Sequence, residues 1–208
     1  IKIDSSHFLD LFESLEDYCG GVQRIDNPFV NGERTGAAKV EIAGYRYRRN
    51  DDGQKCTGSM TTAALAVMQI CKAGLGRKLR SGMRKKIERS AEAAMNWMGQ
   101  HFKPNQNPNG GHHYYYLYGC ERVGALMNTE RFGKHWWYID GAKYLLGAQR
   151  KNEGGWGGVT DTCFALLFLR RATRGHAPTT GLGGGNAHVF ATGNEKSDVR
   201  LRGAGQQP

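Results

Sequence analysis

Gly141–Ala172 reads GAKYLLGAQRKNEGGWGGVTDTCFALLFLRRA, and the organisation of the whole chain can be read outward from it. The residues leading into it and through it, Tyr138–Ala148, carry Ile139, Ala142, Leu145 and Leu146 at helical spacing. That pattern predicts an amphipathic helix with one buried stripe. A polar loop from Gln149 follows and runs into Gly154-Gly155-Trp156-Gly157-Gly158, a glycine run that interrupts any helix. From Thr162 to Leu169 the chain is apolar on every side, and such a helix is expected to be walled in by other helices. The unit is an outer helix, a Gly-Trp loop and an inner helix.

Two looser copies precede it. Gly110-Gly111 stand 47 positions before Gly157-Gly158, and Trp97 stands 47 before Tyr144. The middle unit has its outer helix over Met83–Phe102, a loop holding Pro104 and Pro108, and its inner helix over Tyr114–Met127. In the first unit Phe8, Phe12, Leu15 and Cys19 form one stripe of a helix over Ser6–Cys19, which Gly20-Gly21 end. Its inner helix is expected over Ser59–Cys71, capped by Thr57 or Ser59. Between them, Ala37–Arg48 alternates like a short strand or hairpin but is read as a loop insertion, with Gly44-Tyr45-Arg46-Tyr47 in the place of the Gly-Trp element. A fixed period of helix pairs predicts a solenoid or a closed ring. The expectation is an all-α fold: a partial (α/α) toroid of three helix hairpins over residues 1–173, with further repeats upstream of Ile1. Residues 174–208, rich in Gly, Thr and Asn and without periodicity, are expected to form a flexible tail.

The 208 residues suffice for one domain with a real core. No apolar run approaches the ~20 residues that span a bilayer. The five cysteines lack any CxxC pair, and Cys71, Cys120 and Cys163 fall in helical runs, where the thiol behaves as a small hydrophobe. Unpaired cysteines point to a reducing compartment, hence to the cytoplasm. The net charge is +10. It concentrates in Arg77, Lys78, Arg80, Arg84, Lys85, Lys86 and Arg89, with a second cluster of Arg46, Arg48 and Arg49 interleaved with Tyr45 and Tyr47. Either could meet the phosphates of nucleic acid or an anionic membrane surface, or form a solvated outer face.

Tyr144-Leu145, then Gln149, then Gly154-Gly155-Trp156 resembles the QW motif of squalene and hopene cyclases. With GGVTDTCFALLFL, the pattern is similar to the prenyltransferase and squalene-oxidase repeat of the terpenoid cyclase/protein prenyltransferase superfamily. Tyr114–Leu126 followed by HWWYIDGAKYLL also resembles repeat proteins of planctomycete-type bacteria. The resemblance covers roughly Phe8–Thr173 and implies an (α/α) toroid with an inner face for an isoprenoid-like ligand.

The catalytic motifs of the cyclases, DxDD and DCTAE, are absent, and Asp51-Asp52 beside Gly53 reads as turn chemistry. In the prenyltransferases that the chain resembles, an Asp-x-Cys opening an inner helix supplies two zinc ligands and a later His a third. Asp161 and Cys163 match the first part, and His113 is the nearest candidate for the last. Zinc would come with that reading. The competing reading has Asp161 capping the helix and Cys163 packed inside it, with no metal. Tyr114, Tyr118, Glu121 and Trp156 are the candidates for lining a central cavity, alongside Tyr115, Tyr116, Trp136 and Trp137. Two functions remain: a non-catalytic repeat module that binds a protein or a hydrophobic small molecule on its inner face, or an isoprenoid-handling enzyme domain.

Overall fold

The computed structural model describes residues 4–26, 39–51, 53–152 and 154–171. Among these the fold is all-α, with six helices: α1 (Ser5–Leu15), α2 (Gly58–Leu75), α3 (Ser81–His101), α4 (His113–Met127), α5 (Trp137–Ala148) and α6 (Val159–Arg170). All six stand where the apolar spacing puts them. The expected tail, 174–208, lies outside the described residues.

Helices α2, α4 and α6 lie side by side in a row. A second layer covers one side of it, with α3 on α2 and α5 on α4 and α6, while α1 packs on α2 at the end of the row. The sequence units pair each outer helix with the inner helix after it, but α3 rests on the helix before it. The short link 76–80, a 3-10 turn, folds α3 back along α2, where Lys72 pairs with Glu88 at 2.8 Å. The longer link 102–112 lets α4 move one place along the row.

Side-chain packing along the row follows one pattern. A ring sits where a Cβ would be: Phe8 of α1 over Gly74 of α2, Tyr116 of α4 over Gly58 of α2, Trp137 of α5 over Gly124 of α4, and Phe168 of α6 over Gly141 of α5. These rings, with Leu65, Met68, Ile87, Met98, Leu117 and Leu145, make one continuous core.

Two small antiparallel ladders accompany the helices. β1 (Gln23–Ile25) pairs with β2 (Val40–Ile42), so the alternation after Ala37 does produce a strand as well as a connection. β2 is held down by α3: the Asn96 side chain donates to the Glu41 carbonyl at 3.0 Å, and the Ala43 amide to the Ala93 carbonyl at 3.0 Å. The second ladder, β3 (Arg131–Phe132) with β4 (His135–Trp136), has no counterpart in the sequence reading. Its turn residue Gly133 has φ +55° and lies against the backbone of Gly99 in α3, a closeness that admits no side chain on either.

One expectation fails. The wholly apolar α6 is not walled in on all sides: Ala165 and Phe168 are buried, but Val159 is 83% and Leu166 54% exposed, and Cys163 is exposed too. On α5 the same holds for Ile139 and Leu146, while Leu145 is buried. α6 ends the described row and so has a row neighbour on one side only, and α5 lies over that end.

The ring-over-glycine pattern sets a direct test. Gly124→Ala should destabilise the protein by about 1–3 kcal/mol in urea titration, because the buried Trp137 cannot yield. Gly82→Ala, in the first turn of α3 where a Cβ meets nothing, should be neutral or stabilising by up to about 1 kcal/mol. Equal effects at the two sites would refute the packing account.

Candidate binding surface on the free side of the helix row

Helices α2 and α6 are started by bonds from a loop. In α2 the Thr57 hydroxyl accepts from the Met60 amide at 3.2 Å, and the preceding amide, Ser59, donates to the Asn107 side chain at 3.0 Å. Asn107 is itself buried and donates to the Ser59 hydroxyl at 3.0 Å and the Gly111 carbonyl at 2.6 Å. The loop of the second unit thereby clasps the helix of the first.

α6 is started through Trp156. The Trp156 amide donates to the Thr162 hydroxyl at 3.0 Å, that hydroxyl donates to the Trp156 carbonyl at 2.9 Å, and the indole N–H donates to the Leu145 carbonyl at 2.7 Å. The first unit repeats the first of these bonds. The Tyr45 amide donates to the Thr61 hydroxyl at 3.0 Å, so Tyr45 stands where Trp156 stands. The Gln149 side chain donates to the Gly154 carbonyl at 2.6 Å and closes its own loop.

The side of the row away from the second layer is open. On α4 Tyr115 is exposed with Tyr118 and Arg122 half-buried beside it, and on α2 Ile70 is exposed. Phe164 from α6 stands between the two tyrosines, 5.4 Å from the Tyr115 ring and 5.6 Å from that of Tyr118. The Arg122 guanidinium lies 5.9 Å over the Tyr118 ring. The result is an apolar, aromatic strip with one cation.

The sequence-derived candidates scatter. Tyr118 lies on the strip. Glu121 is 1% exposed and points to the packed side of α4, and Trp156 is buried and committed to Leu145. Neither lines a cavity. Tyr114 stands at the loop end of α4, where burial raises its hydroxyl pKa, with the neighbouring Tyr144 and Asp161 acting in the same direction. Two clefts lie elsewhere. One, of about 390 Å³, sits between Tyr45, Glu41 and Arg89; the other, of about 300 Å³, sits between Glu13, Tyr18 and Arg49. No row helix lines either of them.

The Asp161–Cys163 pair does not converge. Both residues lie within α6, and side chains two apart on a helix face different ways. Asp161 folds back over Gly157, whereas Cys163 faces solvent instead of packing in the core like Cys71 and Cys120. His113 is near Asp161, but its Nε2–H donates to the Pro104 carbonyl at 2.9 Å. Among the described residues no three His, Cys, Asp or Glu side chains gather into a group that could hold a metal.

The basic clusters also resolve. Arg46 donates to the Asp51 and Cys19 carbonyls at 2.5 and 2.6 Å, and Arg49 pairs with Asp17 at 2.5 Å, so this cluster clamps its own loop. In the other, Lys86 pairs with Glu16, Arg89 with Glu41, and Arg84 donates to the Gly76 carbonyl. Arg77, Lys78, Arg80 and Lys85 are exposed and have no ion-pair partner within 4 Å among the described residues. No described helix is long and apolar enough to cross a membrane. Comparison with family models, with characterised proteins and with solved structures gives no match to this chain.

Two outcomes follow from the loop chemistry. Trp156→Ala should cost roughly 3–5 kcal/mol in chemical denaturation, and Trp156→Phe about 1–2 kcal/mol for the indole bond alone; a melting temperature unchanged in both would place Trp156 outside the core. Burial is the main cause holding His113 and His135 below the ordinary value of 6.5. Below about pH 6.5 the unfolded chain therefore binds more protons than the folded one. Stability is full above that pH and falls as pH drops through the folded values, by at most about 1.4 kcal/mol per pH unit per histidine. Thermal melts between about pH 7 and pH 5 should show the loss, and His113→Gln should reduce it; equal slopes in the two proteins would contradict the assignment.

Proposed function

We propose that this chain is a non-catalytic module of the terpenoid cyclase/protein prenyltransferase type, its three hairpins forming an arc of an (α/α) toroid. It binds an elongated apolar ligand, isoprenoid-like, or an apolar protein segment along the free side of α2, α4 and α6. The observation that carries this reading is the strip itself. Tyr115 is 37% exposed and packs with Phe164, which also meets Tyr118, and further along the row Ile70 of α2 is 41% exposed. Contiguous apolar surface rimmed by polar groups marks an interaction site in soluble proteins. Tyr115, Phe164 and Tyr118 offer ring faces and edges, and Arg122 over Tyr118 offers one fixed charge at the margin. The strip holds no carboxylate or imidazole to act as an acid, and Asp161 is turned onto its own loop, which favours binding over turnover.

Titration of the protein with farnesol, followed by tryptophan and tyrosine fluorescence, tests the reading. The double variant Ile70→Glu, Tyr115→Ala should weaken binding at least about tenfold and leave the melting temperature within a few degrees. Unchanged affinity in that variant would move the ligand off this surface. Formation of a cyclised or transferred product from a prenyl diphosphate would replace binding by catalysis.

A further inference from the structure

We propose that the link 76–80 and the first turns of α3 form a second interaction surface, which binds the phosphate backbone of duplex nucleic acid without reading its sequence. Residues Gly76–Lys86 carry six cations in eleven positions, and the chain holds no Asp or Glu from Gly53 to Ile87. The 3-10 turn Gly76–Lys78 leads directly into α3, which keeps these cations together. Arg84 reaches the Gly76 carbonyl at 3.3 Å, so its guanidinium stands beside the turn that bears Arg77 and Lys78. From Arg80 to Lys85 the helix rises by only about 7.5 Å. Arg77, Lys78, Arg80 and Lys85 are exposed without an ion-pair partner within 4 Å among the described residues, whereas Lys72 and Lys86 are taken by Glu88 and Glu16. Lys78 lies within electrostatic reach of Asp4, but that carboxylate accepts from the Ser6 amide and hydroxyl, both at 2.8 Å.

What lies between the cations selects the partner. Gly76, Ser81 and Gly82 are exposed, Leu79 is buried, and none of the exposed large apolar side chains falls between Ile70 and Tyr115. A protein partner needs an apolar centre to its interface, and a bilayer surface takes up a helix by its apolar side. A single nucleic-acid strand is held by stacking its bases on aromatic rings, and the chain has no Phe, Trp or Tyr between Tyr47 and Trp97. A duplex asks only for charge and hydrogen-bond donors. It presents one negative charge per about 1.7 Å of its axis, so several phosphates fall within the span of the patch. The guanidinium forks and the Ser81 hydroxyl are donors to phosphate oxygens. A Cβ on Gly82 would meet nothing, so a rigid backbone can come close to the start of α3. Contacts confined to phosphates carry no sequence information.

Fluorescence anisotropy of a labelled DNA duplex of about 20 base pairs, titrated with the full chain across a salt series, tests the proposal. At about 50 mM salt a dissociation constant of roughly 1–100 μM is expected, with log affinity falling against log salt at a slope of about −3 to −4 for four phosphate contacts. The variant Arg77→Gln, Lys78→Gln, Arg80→Gln, Lys85→Gln should bind at least about tenfold more weakly, with a slope of about −1 or flatter. The variant Lys103→Gln, Lys134→Gln, Lys143→Gln, Lys151→Gln loses the same four charges at exposed positions elsewhere and should change affinity by less than about threefold. Should the first variant lose its circular-dichroism spectrum, Arg77→Gln with Lys85→Gln takes its place, with a loss of about threefold. Absence of binding at low salt would overturn the proposal. So would equal losses in the two fourfold variants, or tighter binding to a single strand of the same length. Binding to polyglutamate or to phosphatidylserine vesicles at lower concentrations than to the duplex would assign the surface to an acidic protein or a membrane instead.

Discussion

Placing a ring over a glycine sets the spacing of nearly every helix in this protein. Phe8, Tyr116, Trp137 and Phe168 each fill the space left by a missing side chain on the neighbouring helix. A glycine inside a helix costs about 1 kcal/mol relative to alanine. A buried aromatic ring removes some 150–250 Å² from water, roughly 4–6 kcal/mol at 25 cal/mol per Å², an upper estimate because the unfolded chain is itself partly compact. The gain exceeds the cost severalfold, so the glycines are stabilising through their partners even though each weakens its own helix. Trp137 and Tyr138 add polar anchors, the indole donating to Thr129 and the phenol to Leu169, which fix how deep each ring sits.

Loops then complete what the rings begin. The starts of α2 and α6 are closed by a threonine in the first turns that binds the backbone of an aromatic residue, Tyr45 in one case and Trp156 in the other. Two of the three units thus share this hydrogen bond although their loop sequences differ. With the packed side and the helix starts committed in this way, the free side of the row is released from structural duty. That is where Tyr115, Tyr118 and Arg122 can face a ligand.

Helix positions were legible because they follow local signals: apolar spacing of three and four, Thr57 as a cap, Pro104 and Pro108 in a link. The equivalence of Gly44-Tyr45 to the Gly-Trp element was legible too, through its place in the repeat. Burial of individual residues was not. CFALLFL reads as all core, but a sequence cannot show that α6 ends the row and has one neighbour fewer. Tyr114, Glu121 and Trp156 look like cavity residues because they are aromatic or charged within an apolar run, and whether they face the free side depends on helix rotation. Asp161 and Cys163 match a metal-ligand spacing, but that spacing converges only if Asp161 precedes the helix; α6 begins at Val159 and separates them. The β3–β4 ladder escaped notice because two-residue strands leave no period to detect. Net charge showed a basic region, but the loss of Arg46, Arg49, Lys86 and Arg89 to internal partners is a matter of three-dimensional placement.

The clasp between Asn107 and Ser59 joins residues 48 apart, and Arg89 reaches Glu41 over the same separation. Contacts that span one repeat give the chain a characteristic memory during synthesis. A ribosome adding about 5–20 residues per second delivers Asn107 roughly 2–10 s after Ser59. For that interval the start of α2 has its threonine cap but lacks its second partner, and Gly58 has no ring above it. Each hairpin is thus finished by the one that follows, so the protein matures from its first helix pair to its last with a delay of one repeat.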